Sequence, residues 1–165
     1  MSTTKLSTKN VHFGFTLIEL IIVITIIAII AAIAIPALLR SRLAAQETSA
    51  IATLRSVATA QAQVQAQTEF ADPTTGVGLY GSFVEFQTLD PSPLDSSIIT
   101  APHTKSGYVF AFTFDGQTQD HPEYQAFATP LRTDGSQRIF YIDPSGVVRF
   151  TRDGSVPTSD SNPVE

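Results

Sequence analysis

The chain contains no cysteine, and that absence removes disulfide stapling, thiolate catalysis and every zinc or iron–sulfur site built on sulfur. Stability has to come from packing. Basic residues are also few and scattered: beyond the first fourteen residues, 8 basic side chains stand against 15 acidic ones, a net charge of -7, and the arginines are spread from Arg40 to Arg152 without a stripe or a pair-built patch. Such a body lacks the footprint that binds phosphate backbones, so no nucleic-acid partner is expected. Glycine and proline are missing from Phe15 to Ile35, and again from Ala37 to Asp72. Nothing in those stretches interrupts a helix except Pro36.

What fills the first of them is a long apolar run. Residues 1–14, MSTTKLSTKNVHFG, are polar and end in glycine, after which the chain reads FTLIELIIVITIIAIIAAIAIPALL to Leu39. The 20 residues from Leu20 to Leu39 carry no charge, the length and composition of a helix that crosses a bilayer. A secretory signal peptide is the competing explanation, since Ala32-Ile33-Ala34 supplies a small-x-small cleavage pattern. Against it stand the length of the run, the carboxylate of Glu19 at its start and Pro36 just past the supposed cut. Lys5 and Lys9 on one flank are matched by Arg40 and Arg42 on the other, so only the free N-terminal amine tips the orientation towards a cytoplasmic N-terminus.

Past the span, residues 40–68 are rich in Ala, Gln and Leu, and Leu43, Ala50, Leu54, Val57, Gln61 and Val64 recur at helical spacing, which predicts an amphipathic helix. It is expected to continue the first as one element of about 54 residues from Phe15 to Thr68, roughly 80 Å long. Its apolar face needs a cover. In 107–114 the alternation places Tyr108, Phe110, Phe112 and Phe114 on one side of a strand, and Val109, Ala111 and Thr113 on the other. Further strands are predicted at Tyr124–Thr129, Arg138–Ile142 and Val147–Arg152, with turn chemistry in Asp143-Pro144-Ser145-Gly146 between the last two. The aromatic row is expected to be core, with Phe127, Phe140, Tyr141 and Phe150 packed with it or beside it. Residues 69–106 are predicted to be loop with a short helix near Phe83 to Leu89, and the Ser-, Pro- and Asp-rich tail 155–165 to be disordered. The fold class expected is α+β, one long N-terminal helix against an antiparallel meander of three or four strands in 107–154.

Gly14-Phe15-Thr16-Leu17-Ile18-Glu19-Leu20 resembles the N-terminal cleavage and methylation motif of type IV pilins and type II secretion pseudopilins: a polar leader ending in glycine, an apolar first residue, a lone glutamate five residues on, and an unbroken span. The resemblance implies a single-pass precursor in the bacterial inner membrane, cut after Gly14 by a prepilin peptidase, N-methylated at Phe15, and polymerised through residues 15–39 into an extracellular or periplasmic filament. Its implied partners are further copies of the chain, the peptidase, an inner-membrane assembly platform and, before assembly, lipid. The chain departs from the family's pattern in three ways. It has no cysteine pair closing a C-terminal loop, no tyrosine–proline signature after the helix, and His12 and Phe13 where a basic residue commonly precedes the glycine. Pilus subunit, pseudopilin and minor subunit therefore stay open.

Two residues carry assembly in this picture. A carboxylate near the start of a membrane helix costs on the order of 2 kcal/mol or more unless paired, so Glu19 calls for a cation. The amine of Phe15, four residues away once exposed by cleavage, is one partner, and the resemblance adds the Phe15 amine of a neighbouring subunit; snorkelling to the headgroups is the alternative. Pro36 removes one helical hydrogen bond and is expected either to melt the helix locally, as the matching stretch of the family can on assembly, or only to bend it.

Other signals are weaker. Gly76-Val-Gly-Leu-Tyr-Gly81 matches a dinucleotide fingerprint in letters but lacks the strand before and helix after it. Asp115, Asp120, Glu123 and Asp134 cluster at turns without the spacing of a calcium loop. His103 and His121 have no second ligand at metal spacing and are expected to be exposed loop residues, and Ser145 has no elbow glycines or base pattern. No catalytic constellation, cofactor or metal is expected, and the chain is taken to be non-enzymatic. A single-span anchored binding module that never polymerises is the competing class.

Overall fold

The computed structural model describes residues 14–66, 80–115, 123–132 and 135–164. Its main helix, α1, spans Leu17–Gln65, 49 residues, two residues later at its start than expected; Thr68 lies outside the described residues. The chain divides into two bodies, one up to Ser41 and one from Arg42 onward, to each of which α1 contributes.

In the first body the helix is apolar all round. An 18-residue window reaches a mean hydropathy of 3.1 with none of it buried, and large side chains from Phe15, 87% exposed, to Ile21, 47%, stand open. A helix greasy on every side needs a non-aqueous surround. Its single hydroxyl within the span is satisfied internally, Thr25 Oγ1 donating to the Ile21 carbonyl at 2.7 Å, which suits a medium that offers no hydrogen bonds. α1 is helical at Pro36 and on both sides of it, so the single chain shows no local melting there.

In the second body the helix has one buried face. Ala50, Thr53, Leu54, Val57, Ala60, Gln61 and Val64 are buried, largely at the spacing anticipated, although Leu43 is only half-buried; Ala50, Leu54, Val57, Ala60 and Val64 share one core with the sheet. Each Leu or Val there contributes about 1.5–3 kcal/mol. The sheet is an antiparallel meander in the order of the sequence: β1 (Thr104–Lys105), β2 (Tyr108–Asp115), β3 (Glu123–Pro130), β4 (Ile139–Ile142), β5 (Arg149–Thr151) and β6 (Asn162–Pro163). It thus has two strands more than the upper expectation, both of two residues and at the two edges.

Register explains which aromatics form the core. Phe110 opposes Ala128, which opposes Phe140, which opposes Phe150, while Phe112 lines up with Ala126 and Ile142. These side chains share the face that joins the core with α1. Two alanines in the middle of β3, both fully buried, leave room for Phe110 and Phe140 on either side of them. Tyr108 and Phe140 approach with ring centroids 5.8 Å apart. Phe127 and Tyr141 oppose each other one residue out of phase, so they lie on the other face, with centroids 5.4 Å apart. Of the predicted row, Phe112 is only half-buried and Phe114 is 43% exposed; the row dries at Tyr108 and opens towards Asp115.

Between helix and sheet lie two short helices, α2 (Phe83–Thr88), where one was expected, and α3 (Ser96–Ile99), which was not. α2 begins with a closed capping box: the Ser82 hydroxyl accepts from Val84 N–H at 3.3 Å and Glu85 Oε2 accepts from Ser82 N–H at 2.8 Å. Burial acts to raise the Glu85 pKa, and the Ser82 hydrogen bonds outweigh it and hold the carboxyl below its ordinary value. Asp143 accepts from Ser145 N–H at 2.9 Å and Gly146 turns with φ +73°, giving the predicted turn between β4 and β5.

The tail is a correction. It is not a disordered segment: Pro157 is fully buried, β6 pairs with β5 through Arg149 and Phe150, and Val164 donates its N–H to the Val148 carbonyl at 2.8 Å while its side chain packs on the core. One buried and one half-buried apolar residue, with a strand pairing, outweigh the polar composition around them.

Ion pairing near the start of the second body adds a fastening. Arg138 meets Glu47 Oε2 with Nε at 3.0 Å and Nη2 at 2.7 Å, and its backbone N–H reaches Glu47 Oε1 at 3.1 Å. The three buried tyrosines give a measurable signature. Burial first, and then neighbouring charge, pushes up the phenol pKa of Tyr108 and Tyr124, and that of Tyr141, bonded to Asp143 Oδ2 at 3.1 Å, up to about 12. A raised folded-state value means that this stabilisation is present in full below the unfolded value near 10 and is lost as the pH rises through the folded one. Phenolate absorbance should therefore show Tyr108, Tyr124 and Tyr141 still protonated at about pH 11 while the fold persists. Reversible ionisation of all four tyrosines by that pH, with the circular dichroism intact, would contradict the burial described.

Candidate functional site

Three of the four sequence-predicted residues, Gly14, Phe15 and Glu19, gather at one end of α1. Gly14, Phe15 and Thr16 precede the helix and are neither helix nor strand, and all three are exposed. Among the described residues a Cβ built on Gly14 meets nothing within 4 Å, so none of them covers the Gly14–Phe15 peptide. Helix geometry starts at Leu17, and the reason is local: the Thr16 hydroxyl accepts from Glu19 N–H at 3.2 Å and the Thr16 carbonyl accepts from Leu20 N–H at 3.3 Å. Those two bonds make Thr16 the N-cap.

Thr16 was missed by the sequence reasoning, although its signal was present. Thr16-x-x-Glu19 has the spacing of a capping box, the same pattern that Ser82-x-x-Glu85 forms before α2. The two boxes differ in outcome. Glu85 closes its box by bonding back to Ser82, whereas among the described residues the Glu19 carboxylate accepts no hydrogen bond, and the box is half-made, through the Glu19 N–H alone. It stands in the first turn of α1, where the positive end of the helix dipole favours a negative charge. Phe15 lies before the cap and not on the helix in the uncut chain; the four-residue spacing expected between its amine and Glu19 belongs to the chain after cleavage. Pro36 lies 17 residues beyond Glu19 on the same helix, roughly 25 Å along it, and belongs to no common site with the others.

The weaker candidates resolve as follows. Gly81 is the one described glycine of the glycine-rich match, and its backbone is held by a side chain: Gln61 Nε2 donates to the Gly81 carbonyl at 2.7 Å and Gln61 Oε1 accepts from Gly81 N–H at 2.8 Å. His103 is not an exposed loop residue; it is half-buried, its ring stacked on Phe83 at 3.9 Å and its Nδ1 2.6 Å from the Ile98 carbonyl, which makes Nδ1 a donor. His121, Asp120 and Asp134 lie outside the described residues, as do residues 1–13, while Glu123 is exposed at the start of β3. Among the described residues no group of three His, Cys, Asp or Glu is placed to hold a metal ion. Ser145 hydrogen-bonds through its N–H and hydroxyl to Asp143 Oδ1 in a turn.

Comparison with known proteins adds one match. Residues 9–35 fit the family model of the prokaryotic N-terminal methylation motif, the signature of type IV pilins and pseudopilins. The match covers the end of the leader, the cap, Glu19 and most of the apolar run. No curated protein and no solved structure matches the chain. The motif implies processing by a prepilin peptidase and polymerisation, and together with the apolar helix it fits a membrane-anchored precursor.

Proposed function

We propose that this chain, a bearer of the pilin-type methylation motif, is a structural subunit of a type IV pilus-like filament, cut after Gly14, N-methylated at Phe15 and polymerised through residues 15–39. The observation that carries the reading is the arrangement at the start of α1: an exposed glycyl peptide, a cap, and a carboxylate that accepts no hydrogen bond among the described residues, leading an apolar helix of which the most apolar window is unburied. Hydrolysis turns the Phe15 amide into a cation, and the Glu19 carboxylate of a neighbouring subunit is its natural partner once both leave water. Pro36, deep in the apolar run, removes one donor from the helix and is the point at which it yields most cheaply on assembly. The work of such a protein is packing rather than chemistry, and the acidic second body faces outward on the finished filament.

Mass spectrometry of the N-terminus tests this, with sheared cell-surface material and inner membrane taken separately. A chain starting at methylated Phe15 in the sheared fraction is the expected result. The same processed chain confined to the membrane would favour the pseudopilin or minor-subunit role, and an uncut Met1 or a cut near Ala34 would break the proposal.

A further inference from the structure

We propose that Thr16 is the positioning residue for leader removal: by capping α1 at Leu17 it keeps the Gly14–Phe15 peptide out of the helix, in a form that a peptidase can grip. This rests on the processing reading above and adds to it the reason that the bond is cleavable. Hydrolysis adds water across the Gly14–Phe15 amide; the C–N bond breaks, Gly14 leaves with the new carboxylate and Phe15 keeps the amine. The attacking oxygen must reach the carbonyl carbon. In a helix that carbonyl accepts a bond from four residues on, and the neighbouring turns crowd it.

The residues after the cut favour helix strongly. From Phe15 to Ile35 there is no glycine or proline, and helix growth adds one hydrogen bond per residue once nucleated. In a bilayer each backbone group left unpaired is expensive, which drives the helix to extend further. A stop is therefore needed on the N-terminal side, and Gly14 alone is a weak one. Thr16 supplies it: its hydroxyl takes the Glu19 N–H at 3.2 Å, the donor that the Phe15 carbonyl would need for one more turn, while its own carbonyl accepts from Leu20 N–H at 3.3 Å as the first acceptor of the helix. The scissile bond then lies between the second and first residues before the cap, with Gly14 and Phe15 both exposed. The cap uses the Glu19 backbone N–H and not its carboxylate, in contrast to the closed box at Ser82 and Glu85.

The experiment is cleavage of the full-length precursor, in membranes, by a prepilin peptidase, comparing wild type with Thr16→Val, Thr16→Ser and Thr16→Asn. Valine keeps the shape and loses the acceptor; serine and asparagine are caps with different outlines. The expected result is a drop in kcat/KM of about two- to thirty-fold for valine, the span that loss of one cap covers, and near wild-type cleavage for both serine and asparagine. Hydrogen exchange of the Glu19 amide, measured without peptidase, should accelerate in the valine variant alone. Unchanged cleavage of Thr16→Val overturns the proposal. So does asparagine cleaved as poorly as valine while serine is normal, because that pattern marks recognition of the hydroxyl by the enzyme. A wild-type precursor left uncut overturns the processing reading itself and this inference with it, whereas the two preceding outcomes leave processing intact.

Discussion

Glu19→Ala should leave the protein in the membrane and abolish its filaments. The two halves of that expectation have one cause. Replacing a carboxylate by a methyl group at the start of an apolar helix removes a charge that membranes tolerate poorly, so insertion is at least as favourable as before. Assembly loses its charge partner instead. In a filament core the amine at position 15 of one subunit, desolvated and left without its carboxylate, costs about 3–5 kcal/mol at each contact, or roughly two to three and a half orders of magnitude in the association constant. The geometry adds a reason to look between subunits: Glu19 is in the first helical turn, Phe15 precedes the cap, and the carboxylate accepts nothing from the described residues of its own chain. Quantifying sheared filaments and membrane-embedded subunit side by side is the check, with Glu19→Gln as the variant that keeps size and loses charge. Normal filaments from the alanine variant would sink the charge-pairing mechanism.

The second large effect belongs to Gln61. It is fully buried, on the face of α1 otherwise built from Leu54, Val57, Ala60 and Val64, and both ends of its amide are used on the backbone of Gly81. Leucine at this position keeps about the same volume and the same helix preference. It strands one N–H and one C=O, each costing about 1–3 kcal/mol when buried without a partner, so Gln61→Leu should lose about 2–6 kcal/mol in all. That is a large fraction of the roughly 5–15 kcal/mol that holds an ordinary domain together. Thermal unfolding of the full chain in detergent should show a melting point lowered by about 10 °C or more. An unchanged melting point would mean that water replaces the amide at Gly81 without penalty.

Much of this architecture is legible in the order of residues, for reasons that differ by element. β2 announces itself because Tyr108, Phe110, Phe112 and Phe114 alternate with smaller residues across a pleat. The buried face of α1 is legible because about four turns of helix, from Ala50 to Val64, repeat the same spacing. β1 and β6 are not, since two residues have no period, and β6 ends on Pro163, which composition assigns to loop. The tail is misjudged for a related reason: averaged polarity hides Pro157 and Val164, whose burial ties it down. Gln61 has the right helical spacing, yet its partner comes from a glycine twenty residues away that no periodicity connects to it. At the candidate site the glycine, the phenylalanine and the glutamate stand out against their neighbours, while Thr16 is concealed by the apolar run that it begins. His103 is misplaced because nothing near it in sequence foretells the stacked Phe83 ring.

The meander has a bearing on how the chain comes into being. Every strand of the sheet lies beside its predecessor and its successor in sequence, so a ribosome delivers each one next to a neighbour already present. Only the helix has to wait. Its face from Ala50 to Val64 is shared by a core that Val164 helps to complete, and a hundred residues of translation separate Val64 from Val164, about 5–20 seconds at ordinary elongation rates. Through that interval a growing chain carries an uncovered apolar stripe directly after a segment bound for the bilayer, and a nearby membrane surface is the safest place for it to rest.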